Sequence, residues 1–112
     1  MFRSAVRACV LPILLFLSSG LWAAETVWID VRSPEEYADG HVAQAVNIPY
    51  TEIGTRIAEV TEDKDAQIYL YCRSGRRAGI ALDTLNEMGY VNVVNLDSLE
   101  NAQTKALEMS TK

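Results

Sequence analysis

The chain has 112 residues, of which ten are Lys or Arg and 15 are Asp or Glu, giving a formal net charge of −5. That balance disfavours nucleic acid and anionic membrane surfaces as partners, since each would be approached against like charge. The length suits one small domain with a modest core.

Residues 1–23 read as a secretory signal peptide and not as part of the fold. Arg3 and Arg7 form a basic start, 10–17 is an apolar stretch with one Pro, and 18–24 ends in small residues. The run 8–17 is too short for a spanning helix of about 20 residues. Cleavage is expected after Ala23, because cleavage after Ala24 would place bulky Trp22 where a small side chain belongs. Cys9 lies inside the signal and lacks the lead-in of a lipoprotein site. Residues 24–112 are then the mature domain, with eight basic residues against 15 acidic ones. It is expected in the periplasm, off the membrane and as a monomer.

The mature chain opens on a β-branched and aromatic run, 26–31, which predicts a strand buried in a sheet. Ser33-Pro34-Glu35-Glu36 carries three helix-start signals: Ser as N-cap, Pro in first position and Glu three residues after the Ser. Asp39-Gly40 closes that helix, and 45–48 is a brief second strand stopped by Pro49. The segment 51–60 sets Ile53, Ile57 and Val60 on one helical face. After the charged turn 62–65 comes a third strand, 67–71, leading into Cys72. Ala78, Ala81, Leu82, Leu85 and Met88 then recur at helical spacing, with Gly89 as a left-handed cap. A fourth strand over 91–96 and a last helix over 98–109, with Leu99, Ala102, Ala106 and Leu107 facing inward, complete the chain. Strands alternating with helices predict an α/β fold: a small, mostly parallel sheet with helices on both faces. Ligands of such sheets bind beyond the carboxyl ends of the strands, where Asp30 and Cys72 both fall.

Cys72-Arg73-Ser74-Gly75-Arg76-Arg77 joins the third strand to the helix after it. A helix N-terminus and nearby guanidinium groups favour the thiolate, the reactive form of cysteine. Backbone amides curling from strand to helix form an anion-binding concavity. With Cys9 removed, Cys72 is the mature chain's only cysteine, which argues against a disulfide oxidoreductase. Three of the eight remaining basic residues lie in this loop, making a local anion site on an acidic protein. No metal-ligand cluster and no nucleotide motif occurs, so neither metal nor cofactor is expected.

The spacing of Arg77 from Cys72 is C-x4-R, and position 78 is Ala; in this the loop resembles that of sulfurtransferases, whereas cysteine phosphatases carry the longer C-x5-R. Together with Asp30-Val31-Arg32, Glu36-Tyr37, Gly40-His41-Val42, Ala45 and Asn47-Ile48-Pro49, the loop resembles the two signatures of single-domain rhodaneses. Within that family the resemblance is to the small periplasmic thiosulfate sulfurtransferases of the phage-shock type, and it covers nearly the whole mature chain. It implies that Cys72 attacks the outer sulfur of thiosulfate and holds a persulfide until cyanide or a thiol removes it. The loop amides from Arg73 through Ser74, Gly75 and Arg76 to Arg77 would then stabilise the anion, with Arg73 and Arg76 steering the donor. Arg77 is left between substrate contact and a fold-back onto Glu36 or Asp30. Asp30 and Arg32 are expected to brace the loop, and His41 to tie down its turn. A persulfide carrier serving a partner protein is the alternative function. The chain departs from the family at Asp97-Ser98, where a Gly-Gly turn is usual, and it lacks the aromatic residue common in the last helix. Asp tolerates the left-handed conformation such a turn needs.

Overall fold

In a computed structural model, residues 25–111 are described; the proposed signal peptide lies outside them. Four strands, β1 (Thr26–Asp30), β2 (Val46–Asn47), β3 (Gln67–Cys72) and β4 (Asn92–Ser98), form one sheet in the order β2-β1-β3-β4. Every pairing is parallel. The helices are α1 (Pro34–Asp39), α2 (Ile53–Arg56), α3 (Arg76–Glu87) and α4 (Leu99–Ser110).

Side chains alternate across the sheet with the period of two that a pleated strand imposes. Val27, Ile29, Ile68, Leu70 and Cys72 join one core with Ile53 of α2, Ile57 just after it, and Ala78, Ala81 and Leu85 of α3. Trp28, Tyr69 and Tyr71 face the other way and pack with Val42, Ala45 and Ala102 of α4, while Tyr37 of α1 covers their edge. The sheet is therefore covered on both faces, as continuous apolar strands require.

Helix signals in the sequence produce their elements. Ser33 caps α1 in a reciprocal box with Glu36, and Pro34 occupies its first position. Gly89 has φ 101° and Asp97 φ 74°, so both left-handed turns form as anticipated. Segment 50–59 differs from the single amphipathic helix expected there. A 3₁₀ turn (Tyr50–Glu52), the four-residue α2 and a second 3₁₀ turn (Ile57–Glu59) follow one another, with ψ near zero at Glu52 and Arg56. Gly54, Thr55 and two isoleucines are weak helix formers, and tertiary burial of Ile53 and Ile57 keeps the segment in place. Leu107 is also not inward: it is 66% exposed. It follows Ala106 by about 100° of helical rotation, which carries it off the stripe of Leu99, Ala102 and Ala106.

Candidate active site

Cys72 ends β3 at the carboxyl edge of the sheet and is 1% exposed. Three residues later the chain enters α3 through Gly75, which caps it with φ 98° and no side-chain bond. The reversal requires glycine for two reasons. The backbone is left-handed there, and a Cβ would lie 2.5 Å from the Asp97 Oδ1.

The turn aims amides at the sulfur. Gly75 N–H donates to the Cys72 Sγ at 3.0 Å. Burial pushes the thiol up, but the amides of Ala78, Ser74, Gly75 and Arg77 outweigh it and hold the thiol below its ordinary value. Cys72 therefore favours the thiolate through neutral donors at the head of a helix. The Ala78 amide joins those expected from the loop because α3 begins at Arg76, which puts Ala78 in its first turn.

The charged side chains divide between scaffold and opening. Arg77 donates from Nη1 to Glu36 Oε1 at 2.8 Å and from Nη2 to Glu36 Oε2 at 3.1 Å. Of the alternatives left open for it, the fold-back onto Glu36 is what the structure contains. Arg77 foremost, with the Ser33 N–H and hydroxyl, holds the Glu36 carboxyl down at about 2 despite the opposing effect of burial. Arg73 reaches the same carboxylate only at 3.7 Å and is 75% exposed. Arg76 and Ser74 are exposed.

Asp30 and Arg32 form a buried pair. Arg32 Nη2 lies 2.7 Å from Asp30 Oδ2 and also donates to the Gly40 carbonyl at 2.7 Å, so it pins the far end of the α1 segment. Asn47 donates to the carbonyls of Asp30 and Arg32, both at 3.0 Å. His41 donates its Nδ1–H to the Tyr37 carbonyl at 2.8 Å, and its ring stacks on the Tyr37 ring.

Above the sulfur is an open cleft of about 410 Å³. Arg32, Cys72 and Arg73 form one wall, and Ser98, Leu99, Glu100 and Gln103 at the start of α4 form the other. Arg76 does not line it. Ser98 caps α4 by accepting the Asn101 N–H at 3.1 Å, and no residue of this α4 wall carries a sequence signal for a site. The cleft thus presents a thiolate-favouring cysteine, an exposed guanidinium and room for a small anion. Such a site can run nucleophilic attack on an anionic, polarisable centre.

A family model described as the Rhodanese-like domain matches residues 16–98. The chain is 44% identical over 92 residues to the thiosulfate sulfurtransferase PspE of Escherichia coli (strain K12), covering 82% of this chain and 88% of that one. It is 36% identical over 72 residues to a sulfurtransferase of Allochromatium vinosum, covering 64% of this chain and 65% of the other. A solved structure of a rhodanese with anions from E. coli superposes with a TM-score of 0.65 at 45% identity, over 68% of this chain and 89% of that one.

Proposed function

The chain belongs to the rhodanese-like domain family, and from that premise we propose that it is a thiosulfate sulfurtransferase working through a Cys72 persulfide. In the first half-reaction the Cys72 thiolate attacks the outer sulfur of thiosulfate. The S–S bond of the donor breaks, sulfite leaves with the electron pair, and the negative charge passes to the outer sulfur of the persulfide. In the second, a thiophile such as cyanide takes that outer sulfur and leaves the thiolate, so charge balances in each step and the kinetics are ping-pong.

The observation that carries this reading is the set of N–H groups converging on the Cys72 sulfur, with Gly75 at 3.0 Å. Donors fixed around one sulfur favour an anion at every stage of the cycle, and no general base is called for. Arg73 at the cleft wall draws in the dianionic donor, and Arg76 adds positive charge nearby. Residues 1–23 direct export to the periplasm and are removed, and the mature protein acts as a monomer. N-terminal sequencing of the exported protein should begin at Ala24.

Purified mature protein given thiosulfate and cyanide is expected to form thiocyanate, and Cys72→Ser to form none. Wild type without thiocyanate, or full turnover in Cys72→Ser, overturns the enzyme. A gain of one sulfur on Cys72 by mass spectrometry, without turnover, assigns the persulfide-carrier role instead.

A further inference from the structure

Asn95 lies on β4, is not among the residues that line the cleft, and makes its hydrogen bonds to backbone and not to the sulfur. Its side chain bridges two stretches of backbone. Nδ2 donates to the Gly75 carbonyl at 2.9 Å, and Oδ1 accepts from the Asp97 N–H at 2.8 Å. An N–H on one side and a carbonyl on the other leave the amide a single orientation.

Both ends of the bridge fall at irregular backbone. Pairing of β3 with β4 runs through Leu70 opposite Asn95 and resumes with Cys72 opposite Ser98, so β4 carries one extra residue there. Asp97, with φ 74°, absorbs it, and the Asn95 Oδ1 closes that bulge. At the other end, Gly75 is the point where loop becomes helix. Amides of Ser74 and Gly75 come from the loop side, and those of Arg77 and Ala78 from the helix side. A glycine at φ 98° rotates more freely than any other residue, so something else must fix the peptide plane that follows it. The Gly75 carbonyl accepts the α3 bond from Gly79 N–H at 2.8 Å and the Asn95 bond, which together pin that plane. A Cβ on Gly79 would stand 3.7 Å from Asn95 Nδ2, so the first turn of α3 lies directly on the amide.

We infer that Asn95 is a positioning residue for Cys72: by holding the Gly75 carbonyl it aligns the two halves of the amide crown on one sulfur. The inference rests on Cys72 being the working thiolate of the proposed function. Donors gain strength from direction as well as distance, and a few degrees of freedom at Gly75 would splay the two pairs apart.

The test is the pH dependence of Cys72 alkylation by iodoacetamide in the mature wild type and in Asn95→Leu, which keeps the size and removes both hydrogen bonds. The substitution removes no charge near Cys72, where Asp30, Arg32, Glu36, Arg73, Arg76, Arg77, Asp97, Glu100 and the Tyr50 phenol lie, and because Asn95 also holds the Asp97 backbone the two proteins are compared in an Asp97→Asn background as well. A moved midpoint therefore reports amide alignment. The midpoint is expected to rise by about one pH unit, with kcat/KM for thiosulfate down about tenfold. An unchanged midpoint in folded Asn95→Leu overturns the inference. Should that variant not fold, the wild type decides. Its Asn95 side-chain amide resonance is expected to shift through the alkylation midpoint, and a resonance indifferent to Cys72 ionisation overturns the inference. Absence of thiocyanate from wild type would remove the enzymatic function, while the alkylation midpoints would still decide the role of Asn95.

Discussion

Arg77 and Glu36 are 41 residues apart in sequence and joined by two parallel hydrogen bonds of 2.8 and 3.1 Å. The same carboxylate accepts the Ser33 N–H at 3.0 Å, so one side chain caps α1 and anchors the head of α3. The cysteine loop is thereby tied to the opposite face of the sheet by an ion pair that is about four-fifths shielded at each end.

This pair makes stability depend on pH in a definite direction. Glu36 is held at about 2 in the fold, below its ordinary 4.5, chiefly by Arg77. A depressed carboxyl stabilises the fold fully above its unfolded value, and that stabilisation is lost as pH falls through the folded value. The window runs from about 4.5 down to about 2. Urea unfolding should therefore show wild type losing on the order of 1–2 kcal/mol more than Glu36→Gln between these limits, after allowance for partial exposure. Equal losses in the two proteins would remove the pair from the account.

Gly75→Ala is expected to damage stability and reactivity together. The new methyl meets the Asp97 carboxylate, and φ 98° is unfavourable for alanine even if Asp97 moves. The cost should be about 1–3 kcal/mol by thermal or urea unfolding. Cys72 alkylation at neutral pH should slow as the Gly75 amide leaves the sulfur. Pairing the change with Asp97→Gly should recover only part of the stability, because the left-handed strain remains.

The fold was legible because its signals are local and agree with one another. Ser33, Pro34 and Glu36 mark one helix start, and the apolar run before Cys72 marks a buried strand; each forms where its chemistry says. The 50–59 segment was not legible, since Ile53 and Ile57 have helical spacing whether or not the backbone between them holds a regular helix. Within the site, Cys72 and its arginines announce themselves by side-chain chemistry. The Ala78 amide cannot, because a backbone donor has no residue-type signature. The Asn95 bridge left one faint trace, a lone polar residue among Val93, Val94 and Leu96. Which of Glu36 or Asp30 would take Arg77 depended on tertiary placement: Asp30 is already occupied by Arg32.

Tyr71 offers a test of how the second core supports the site. Its ring is fully buried and its hydroxyl oxygen accepts the Val42 N–H at 3.0 Å. Burial, more than any other influence, raises its phenol above the ordinary value, so the hydroxyl stays neutral at working pH. Tyr71→Phe leaves a buried amide without its acceptor, which costs about 1–3 kcal/mol. Urea unfolding should show that loss. The Cys72 alkylation midpoint should hold steady, because the crown amides belong to other residues.

Arg73 and Arg76 flank the same loop and separate by position. Arg73 lines the cleft beside Cys72, with 75% of its side chain exposed, whereas Arg76 is exposed outside it. A charge at the wall acts on a bound dianion over a short range, while one outside acts through solvent that screens it within about 10 Å. Arg73→Ala should accordingly raise KM for thiosulfate by about three- to tenfold with little change in kcat, and Arg76→Ala by less. Added salt should shrink the Arg76 effect first. Steady-state kinetics at low and high ionic strength measure both. Equal KM effects with equal salt sensitivity would mean that the donor feels the loop's net charge rather than the position of any one guanidinium.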